Sequence, residues 1–399
     1  MRTTKIHKML KINTLHTFFR SVLGARMALF MTLSTLMLAC SDGKKADKAG
    51  DCAPLPTLQY AKNLKIGESC GERAAEIRSI VGRDTLIKSF SLEKAPSRVV
   101  ALSSAQIGYM LKLGLADRIV GVGEGKYIAD SALYARVQKG EVAEVGSGPT
   151  LSLEKLMALK PDLVMSFATG GGHDDYERIE ALGLPLMLTS EWQEDSPLAK
   201  FEWIKLFGKL FCGRAGELAC AVPADLIYEQ GKKQYDSLSS AIEAGVSARP
   251  RVLVGMSYGG VWYAPGGRSF TAQLIRDAGG RYLWGADTTR ELRFSLEEVF
   301  AVADSADVWI NPGAFASPEE VLEAEPRVKD IRAFRDARVF QNDGVKGAGG
   351  GNDFYESAVA WPFELLRNVT GSIHPDYVAG KSADLESQPY KWYRNIFKF

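Results

Sequence analysis

The sequence predicts an α/β protein in which two lobes, each with a parallel sheet, are joined by helix and preceded by a small β extension. From Pro96 onward, short apolar strands alternate with helices, and the same order of signals returns after residue 250. Continuous Val/Ile/Leu strands between helices are typical of parallel sheets covered on both faces. A helical stretch separates the two series, so we expect a cleft between two lobes, where small ligands bind.

Residues 1–39 have the composition of a secretion signal. They contain no acidic side chain and six basic ones: Arg2, Lys5, Lys8, Lys11, Arg20 and Arg26. The apolar run Met27–Ala39 is too short to span a ~30 Å hydrocarbon core comfortably, but it fits a signal peptide. Met37-Leu38-Ala39-Cys40 resembles the lipobox cut by lipoprotein signal peptidase. We therefore interpret Cys40 as the lipidation site; an ordinary secretion signal with an incidental cysteine is the alternative.

The cysteine count fits an exported lipoprotein. Five cysteines leave one unpaired, and lipid on Cys40 would account for it. Four then remain for two disulfides: Cys52, Cys70, Cys212 and Cys220. Pairing of sequence neighbours is one of three connectivities, and free buried thiols are the alternative. On one unbroken helix, Cys212 and Cys220 would lie about 12 Å apart, beyond the ~7 Å limit for a disulfide. If they pair, the chain must turn within residues 213–219.

The charge balance disfavours one class of function. Removal of the signal leaves 43 basic residues against 48 acidic ones, a net charge of −5. A nucleic-acid binder would present a basic face instead. The mature chain of about 360 residues is long enough for two lobes, each with its own core.

A tether and a β extension are predicted before the first lobe. Residues 40–58 begin with the polar run Ser41–Asp47, which is typical of a solvated tether. Residues 59–95 contain three segments with strand character, Tyr60–Ile66, Ala75–Ile80 and Asp84–Leu92. A Cys52–Cys70 disulfide would tie this extension together.

The first lobe is assigned to residues 96–195. Its predicted strands are Arg98–Leu102, Arg118–Val122, Pro161–Phe167 and Pro185–Thr189, and its predicted helices are Ala105–Leu115, Ser152–Leu159 and Asp174–Leu182. Ser152 is a plausible N-cap. The linking segment, residues 196–248, contains two helices, Ser196–Phe211 and Pro223–Ala244.

The second lobe, residues 249–375, repeats the first in outline. Arg251-Val252-Leu253 echoes Arg98-Val99-Val100, Arg281–Gly285 echoes Arg118–Gly121, and Ser295–Val299 echoes Ser152–Leu156. Three echoes in the same order indicate two similarly built lobes. Residues 376–399 are assigned to a C-terminal tail.

From Pro96 to about Pro375 the chain resembles the substrate-binding proteins of ABC importers for cobalamin, haem and iron–siderophores. In that class, one long rigid helix links two Rossmann-like lobes. The resemblance is carried by three segments in order: Arg98–Ser103, Asp117–Val122 and Leu156–Val164. Three more segments resemble a Bacteroidetes-type branch: Ser196–Trp203, Trp262–Gly267 and Gly350–Ser357.

The resemblance implies a monomeric, lipid-anchored binding protein without an intrinsic cofactor, whose ligand is an iron chelate, haem or cobalamin. Its partner would be an ABC permease, and its place the periplasmic face of the cell envelope. In this family, one acidic residue on each lobe pairs with permease arginines; the matching positions are Asp174, Asp175, Glu319 and Glu320. The alternative explanation is that these acids are solvent-exposed residues at the N-termini of helices, where a negative charge is favourable. A surface-exposed lipoprotein that passes its ligand to an outer-membrane receptor is the alternative function.

Aromatic and hydroxyl side chains near strand ends are the candidate ligand-binding residues. Ligands of open α/β sheets bind outside the carboxyl ends of the strands. The candidates are Ser103, Ser104, Tyr127, Phe167, Trp262, Tyr263 and Trp284. Flat aromatic surfaces suit a corrin, a porphyrin or an aryl siderophore, although core packing explains aromatic residues equally well. The two serines are equally suited to capping a helix.

Two other functions, hydrolysis and direct metal binding, have weaker support in the sequence. Gly255-Met256-Ser257-Tyr258-Gly259 matches the nucleophile elbow of hydrolases, and Asp304 or Asp307 with His374 would complete the order of a triad. An elbow requires a helix directly after the serine, whereas the glycines and the proline that follow predict a loop. Direct metal binding is disfavoured because only two histidines, His173 and His374, follow the signal.

Overall fold

The structure is a computed structural model that describes residues 52–172, 174–213, 220, 222–379 and 391–398. Cys40, the predicted signal peptide and His173 lie outside the described residues. None of the described helices has both the length and the apolar character needed to cross a membrane.

The β extension forms as predicted, as a three-stranded antiparallel sheet in the order β1-β2-β3. Its strands are β1 (Leu64–Ser69), β2 (Glu72–Val81) and β3 (Asp84–Ser91). The turn between β1 and β2 uses Cys70 and Gly71, both with positive φ, which matches the strand twist in tight hairpins. Cys70 pairs with Cys52 across a Cα–Cα distance of 5.2 Å. The disulfide therefore joins this turn to the segment that leads into the extension.

Two buried carboxylates hold the start of the extension against the rest of the protein. The Glu202 carboxylate accepts hydrogen bonds from the backbone N–H groups of Tyr60 at 2.7 Å and Ala61 at 2.9 Å. The Glu194 carboxylate accepts from the N–H groups of Lys62 and Asn63, each at 3.0 Å. Because the carboxylates satisfy backbone donors that would otherwise lack partners, the extension is part of the folded body.

The first lobe has a five-stranded parallel sheet in the order β6-β5-β4-β7-β8. Its elements are β4 (Val99–Ala101), α1 (Ser104–Lys112), β5 (Ile119–Val122), α2 (Ser131–Gln138), β6 (Ala143–Glu144), α3 (Leu153–Ala158), β7 (Leu163–Ser166), α4 (Tyr176–Ala181) and β8 (Leu186–Leu188). The predicted N-cap is confirmed, since the Ser152 hydroxyl accepts from the Lys155 N–H at 3.3 Å. All four predicted strands are present.

The linking segment consists of α5 (Pro197–Glu202), α6 (Ile204–Phe211) and α7 (Ala224–Gly245). The single helix predicted for residues 196–211 is therefore wrong in detail, because a turn at Trp203 divides it. Cys212 lies directly after α6 and pairs with Cys220 across a Cα–Cα distance of 5.2 Å. Both disulfides thus join sequence neighbours. With 22 residues, α7 spans about 33 Å.

The second lobe contains two sheets. One has the order β12-β9-β14-β15-β16, and the other is antiparallel with the order β10-β11-β13. The elements are β9 (Arg251–Val254), β10 (Met256–Tyr258), β11 (Val261–Ala264), α8 (Phe270–Asp277), β12 (Arg281–Tyr282), β13 (Leu292–Ser295), α9 (Leu296–Ala303), β14 (Val308–Ile310), α10 (Pro318–Ala324), α11 (Arg332–Arg335), β15 (Val339–Gln341), α12 (Asp353–Glu356), α13 (Pro362–Ile373), α14 (Pro375–Ala379) and β16 (Arg394–Asn395). The echo of the first lobe corresponds to β9, β12, α9 and β14.

Residues 391–398 correct the assignment of a C-terminal tail. They return to the second lobe, where β16 pairs antiparallel with β15. Trp392 and Ile396 are fully buried on either side of this strand, and the Trp392 Nε1 donates to the Asp353 carboxylate at 2.7 Å. A strand of only two residues carries too weak a pattern to be recognised from sequence.

A second connection between the lobes is formed by the residues around α12. The buried Glu356 carboxylate accepts from the N–H groups of Ala129 at 2.9 Å and Asp130 at 2.8 Å, in the first lobe. Gly108 of α1 packs so closely that an added Cβ would lie 1.8 Å from the Glu356 carbonyl oxygen. The lobes are therefore held both by α7 and by this contact.

Candidate ligand-binding site

A cavity of about 320 Å³ lies between the lobes. Aromatic and polar side chains from both sides line it: Glu191, Trp192, Lys200, Phe270, Asn311, Asn342, Phe354, Tyr355 and Tyr393. In each lobe, several of the residues that line the cavity lie near the carboxyl ends of parallel strands. This is the position at which open α/β sheets bind ligands.

On the first-lobe side, the residues that follow β8 reach the cavity. Glu191 is 2% exposed, and its Oε2 has no hydrogen-bond partner among the described residues. Burial raises the pKa of this carboxyl, although a hydrogen bond from Thr189 opposes the rise. The buried Gln106 side chain donates to the Thr189 hydroxyl at 3.0 Å and so fixes this strand end. An unsatisfied buried oxygen beside a cavity is a ready acceptor for a ligand group.

Lys200 of α5 supplies the cation of the cavity. Burial lowers the pKa of its ammonium group to about 8, while Glu191 and Glu194 oppose that effect. Its Nζ lies 4.0 Å from the centre of the Phe270 ring, within range of a cation–π interaction. The cavity therefore offers a charged donor and a carboxyl acceptor beside aromatic faces.

On the second-lobe side, two asparagines directly follow strands. Asn311 follows β14 and adopts a left-handed conformation with φ of 54°. It hydrogen-bonds the Tyr393 hydroxyl, while its Oδ1 has no partner among the described residues. Asn342 follows β15, and its Oδ1 accepts from the Gln341 side chain at 3.3 Å. A strained non-glycine backbone at a strand end is common at functional sites.

The aromatic residues form two groups across the cavity. Phe354 packs edge-to-face against Tyr355 at 5.3 Å and Tyr393 at 5.9 Å between ring centres. Trp192, on the opposite lobe, is 43% exposed and Tyr355 is 59% exposed. Because so much aromatic surface remains uncovered, these rings are available to a ligand.

The cavity continues into an outer groove of about 1060 Å³. Trp192, Lys200, Phe270 and Thr271 line both spaces. The outer groove is further lined by residues of the β extension and by arginines of the second lobe. The two spaces together give room for a ligand much larger than the inner cavity alone.

Comparison with known proteins agrees with this arrangement. The sequence model of the periplasmic binding protein family matches residues 99–344 of this chain. The chain belongs to this family. Among curated relatives, a cobalamin-binding protein of Halobacterium salinarum is 25% identical over 282 residues, covering 70% of this chain and 68% of the relative. An uncharacterized ABC transporter substrate-binding lipoprotein of Bacillus subtilis is 22% identical over 319 residues, covering 77% and 90%.

Solved structures of periplasmic binding proteins share the fold. A periplasmic binding protein from Veillonella parvula superimposes with a TM-score of 0.53 at 16% identity, covering 75% of this chain and 98% of that one. A periplasmic heme-binding protein from Pseudomonas aeruginosa gives a TM-score of 0.52 at 18% identity, covering 70% and 94%. The two-lobed α/β architecture predicted from the sequence is thereby confirmed.

The seven candidate ligand residues predicted for this periplasmic binding protein lie outside the two spaces just described. None of the seven lines the cavity or the outer groove. Trp262 is fully buried in the core of the second lobe, where its Nε1 donates to the Val254 carbonyl at 3.1 Å and its ring packs on Trp309. Trp284 stacks on Phe294 at 5.0 Å. Trp262 lies within β11 and Trp284 follows β12, and both rings pack against other aromatic residues of the second lobe.

The remaining candidates lie near the site without lining it. Ser103 is the N-cap of α1, and its N–H donates to the Gln106 side chain at 3.1 Å, so it and the adjacent Ser104 begin a helix. Tyr127 is 54% exposed beneath Lys126, and Phe167 is half-buried directly after β7. Tyr263 packs against Arg293, a residue of the outer groove.

The residues that do line the cavity obey the same strand-end rule. Glu191 and Trp192 follow β8, Asn311 follows β14, and Asn342 follows β15. The lining of this cavity therefore includes glutamate and asparagine as well as aromatic residues, whereas the sequence candidates were chosen among aromatic and hydroxyl side chains. Tyr355 lies within the Gly350–Ser357 segment that carried part of the resemblance. Tyr393 comes from the segment assigned to the tail.

The four acidic docking candidates differ in accessibility. Asp175 is 6% exposed, and its carboxylate accepts a hydrogen bond from the Gly148 N–H at 2.6 Å. Its carboxylate is therefore not accessible to a permease arginine. The Asp174 carboxylate is also engaged, since it accepts from the N–H groups of Thr169 and Gly170. Glu319 and Glu320 are exposed at the start of α10, although the Glu320 carboxylate accepts from the Ala316 N–H at 2.7 Å. Glu177, in the first turn of α4, is exposed.

The hydrolase alternative is contradicted by the geometry around Ser257. This serine lies inside β10, which continues through a turn at Gly259 and Gly260 into β11. The predicted loop is thus a β-hairpin, and no helix follows the serine. His374 contacts the Gly279 carbonyl at 3.1 Å, and Asp304 pairs with Arg335. Among the described residues, there is also no cluster of side chains able to hold a metal ion.

Proposed function

We propose that this chain is the lipid-anchored substrate-binding protein of an ABC importer, which captures a cobalamin, haem or iron–siderophore ligand between its lobes and delivers it to the permease. Membership of the periplasmic binding protein family supports the general function. The observation that carries the proposal is the cavity between the lobes, where exposed aromatic rings lie beside polar atoms that have no hydrogen-bond partner within the described part of the chain. Pockets for small molecules combine these two features.

The shape of the site favours a broad, partly flat ligand. Trp192 and Tyr355 present uncovered ring surface from opposite sides, and stacked rings are stabilised by about 0.5–1.5 kcal/mol beyond area burial. Glu191, Lys200 and Asn311 offer hydrogen-bonding groups at the edge. A corrin or porphyrin ring carrying polar substituents suits such a surface. The cobalamin-binding relative supports this choice of ligand class.

Delivery would require little movement of the lobes. The 22-residue α7 and the contact between Gly108 and Glu356 connect the lobes at two places. Gly108 packs directly on the backbone of Glu356, and the Glu356 carboxylate accepts hydrogen bonds from Ala129 and Asp130 of the first lobe. These contacts would have to break in a wide hinge motion of the lobes. We expect the permease to dock on a rigid, loaded protein.

Exposed acids on the two lobes are the proposed docking points. Glu177 and Glu319 have accessible carboxylates, whereas Asp174 and Asp175 are engaged within their own lobe. Carboxylate–guanidinium pairing would give the contact its geometry. Charge reversal, Glu177→Lys with Glu319→Lys, should abolish ligand-stimulated ATP hydrolysis by the permease in vesicles while ligand affinity stays unchanged. Unchanged stimulation would exclude this docking mode.

The anchor and its location remain separate proposals. Lipid on Cys40 would keep the protein beside its permease, and Cys40→Ala should release it from the membrane fraction. Protease added to intact cells should spare the protein if it faces the periplasm. Digestion would favour the surface-exposed scavenging lipoprotein instead.

The ligand proposal is tested by titrating the purified protein with cyanocobalamin, haemin and a ferric tris-catecholate siderophore. One of them should bind with a Kd in the micromolar range or below, as measured by calorimetry and visible absorbance. Trp192→Ala should weaken that binding about tenfold, through loss of ring stacking. Trp284→Ala is the matched control, because Trp284 lies outside the cavity and groove. Failure of all three ligands to bind would contradict the proposal.

A further inference from the structure

The β extension lines the outer groove. Ile80, Gly82 and Arg83, at the hairpin between β2 and β3, face the groove together with Trp192 and Thr169 of the first lobe. Arg290 and Arg293 of the second lobe also line the groove. The family match begins at residue 99, so the extension is an addition to the matched core. The fold thus places a third element beside the two lobes at the opening of the ligand site.

The hairpin is fixed in this position by several hydrogen bonds. The Gln193 side chain both accepts from the Ile80 N–H and donates to its carbonyl, each at 2.7 Å. The Ser190 hydroxyl donates to the Arg78 carbonyl at 2.6 Å. Gly170 approaches Gly82 so closely that an added Cβ would lie 2.0 Å from the Gly82 nitrogen. The contacts attach the hairpin to the segment that follows β8 and carries Trp192.

The groove has cations without acidic partners. Arg83 and Arg290 are exposed, and neither guanidinium forms an ion pair within the part of the chain that the structure describes. The acids that line the groove are engaged: Asp195 pairs with Lys62, Glu291 pairs with Arg293 at 3.3 Å, and Glu194 accepts from backbone N–H groups. The uncompensated charge of the groove is therefore positive.

We propose that the β extension and the second lobe form an anion-binding subsite of the ligand groove, in which Arg83 and Arg290 hold a carboxylate or phosphate substituent at the edge of the ligand. The inference rests on the proposed function, because it assigns the charge of the captured ligand. Guanidinium groups bind both anions through paired N–H donors. The chelate ring occupies the inner cavity, and its charged substituents extend past Trp192 into the groove.

The subsite is tested with two matched pairs of ligands. Haemin carries two carboxylates that its dimethyl ester lacks, and cyanocobalamin carries a phosphodiester that dicyanocobinamide lacks. In each pair, the anionic member is the one with the anionic substituent, and the neutral member is the one in which that substituent is missing. The wild-type protein should prefer the anionic member of at least one pair. Arg83→Gln should weaken binding of that member about threefold, and Arg83→Gln with Arg290→Gln about tenfold, while the neutral member is little affected. Arg83→Lys should weaken binding less than Arg83→Gln does, because the ammonium group keeps the positive charge but loses the paired N–H donors.

Lys329→Gln is the control, because it removes an exposed positive charge outside the groove. It should leave both members of each pair unchanged. The preference for the anionic member should also fall as the salt concentration is raised from about 0.05 M to about 0.5 M, because salt screens exposed charges.

The outcomes separate this proposal from the one on which it rests. If the wild type binds a chelate but Arg83→Gln and the double variant bind both members of the pair as tightly as the wild type, the anion subsite is wrong and the proposed function stands. The same holds if the wild type shows no preference for the anionic member of either pair. If the wild type binds no member and no ferric siderophore, the proposed function itself fails, and the subsite with it.

Discussion

The two lobes share the order of their core elements but build their sides of the ligand site differently. The first-lobe side of the cavity is formed by Glu191 and Trp192, which follow the last strand, by Ala105 of α1 and by Lys200 of α5. The second lobe uses α8, the ends of β14 and β15, the residues around α12, and Tyr393 from the end of the described chain. The repeated pattern therefore specifies the two cores, whereas the site comes from segments that are not repeated.

The largest expected effect separates core from site within the second lobe. Trp262→Ala should lower the free energy of unfolding by about 4 kcal/mol, because it empties a fully buried site between two sheets. Urea denaturation followed by circular dichroism measures the change. Ligand affinity of the folded variant should stay within about twofold of the wild type. A loss of affinity without loss of stability would mean that Trp262 contacts the ligand after all.

The next effect concerns the contact between the lobes and depends on pH. Burial raises the pKa of the Glu356 carboxyl to about 7, although the N–H groups of Ala129 and Asp130 oppose the rise. The folded state therefore binds a proton more tightly than the unfolded state does. This contribution to stability is complete below about pH 4.5 and is lost as the pH rises through 7, by at most about 3 kcal/mol.

Glu356→Gln tests this by removing the titration. The free energy of unfolding of the variant, minus that of the wild type, should rise between pH 4.5 and 7.5. Glu364→Gln is the control, because the Glu364 carboxylate forms an ion pair with Arg367 and both residues lie on α13. A constant difference across the pH range would contradict a raised pKa at Glu356.

A smaller effect is expected where the first lobe holds the β extension. Glu202→Gln should cost about 2 kcal/mol, because a side-chain amide cannot accept all the backbone hydrogen bonds that the buried carboxylate receives. Amide hydrogen exchange of residues 59–63 should accelerate. Glu229→Gln is the matched control: Glu229 also neighbours Lys205 but is exposed, so its replacement should change stability by less than about 0.5 kcal/mol. Equal effects of both variants would rule out this role of Glu202.

The contrast between cores and site also explains what could be predicted from the sequence. Strands such as β4, β9 and β14 are short apolar runs, and the cap at Ser152 has a local signature, so both follow from the sequence. The location of Tyr393 depends on β16 pairing with β15 after a long separation in sequence, for which two residues give no periodic signal. Trp192 follows β8, whereas Trp262 lies within β11; only the second sheet, β10-β11-β13, explains why Trp262 is buried while Trp192 is exposed.

The most direct test of the central claim is a crystal structure of the protein with whichever of cyanocobalamin, haemin and the ferric siderophore binds most tightly. The account predicts a ligand between the lobes, with its ring between Trp192 and Tyr355 and polar contacts to Asn311 or Lys200. A ligand in the groove behind the linking helix, beside Lys112 and Gln230, would contradict it.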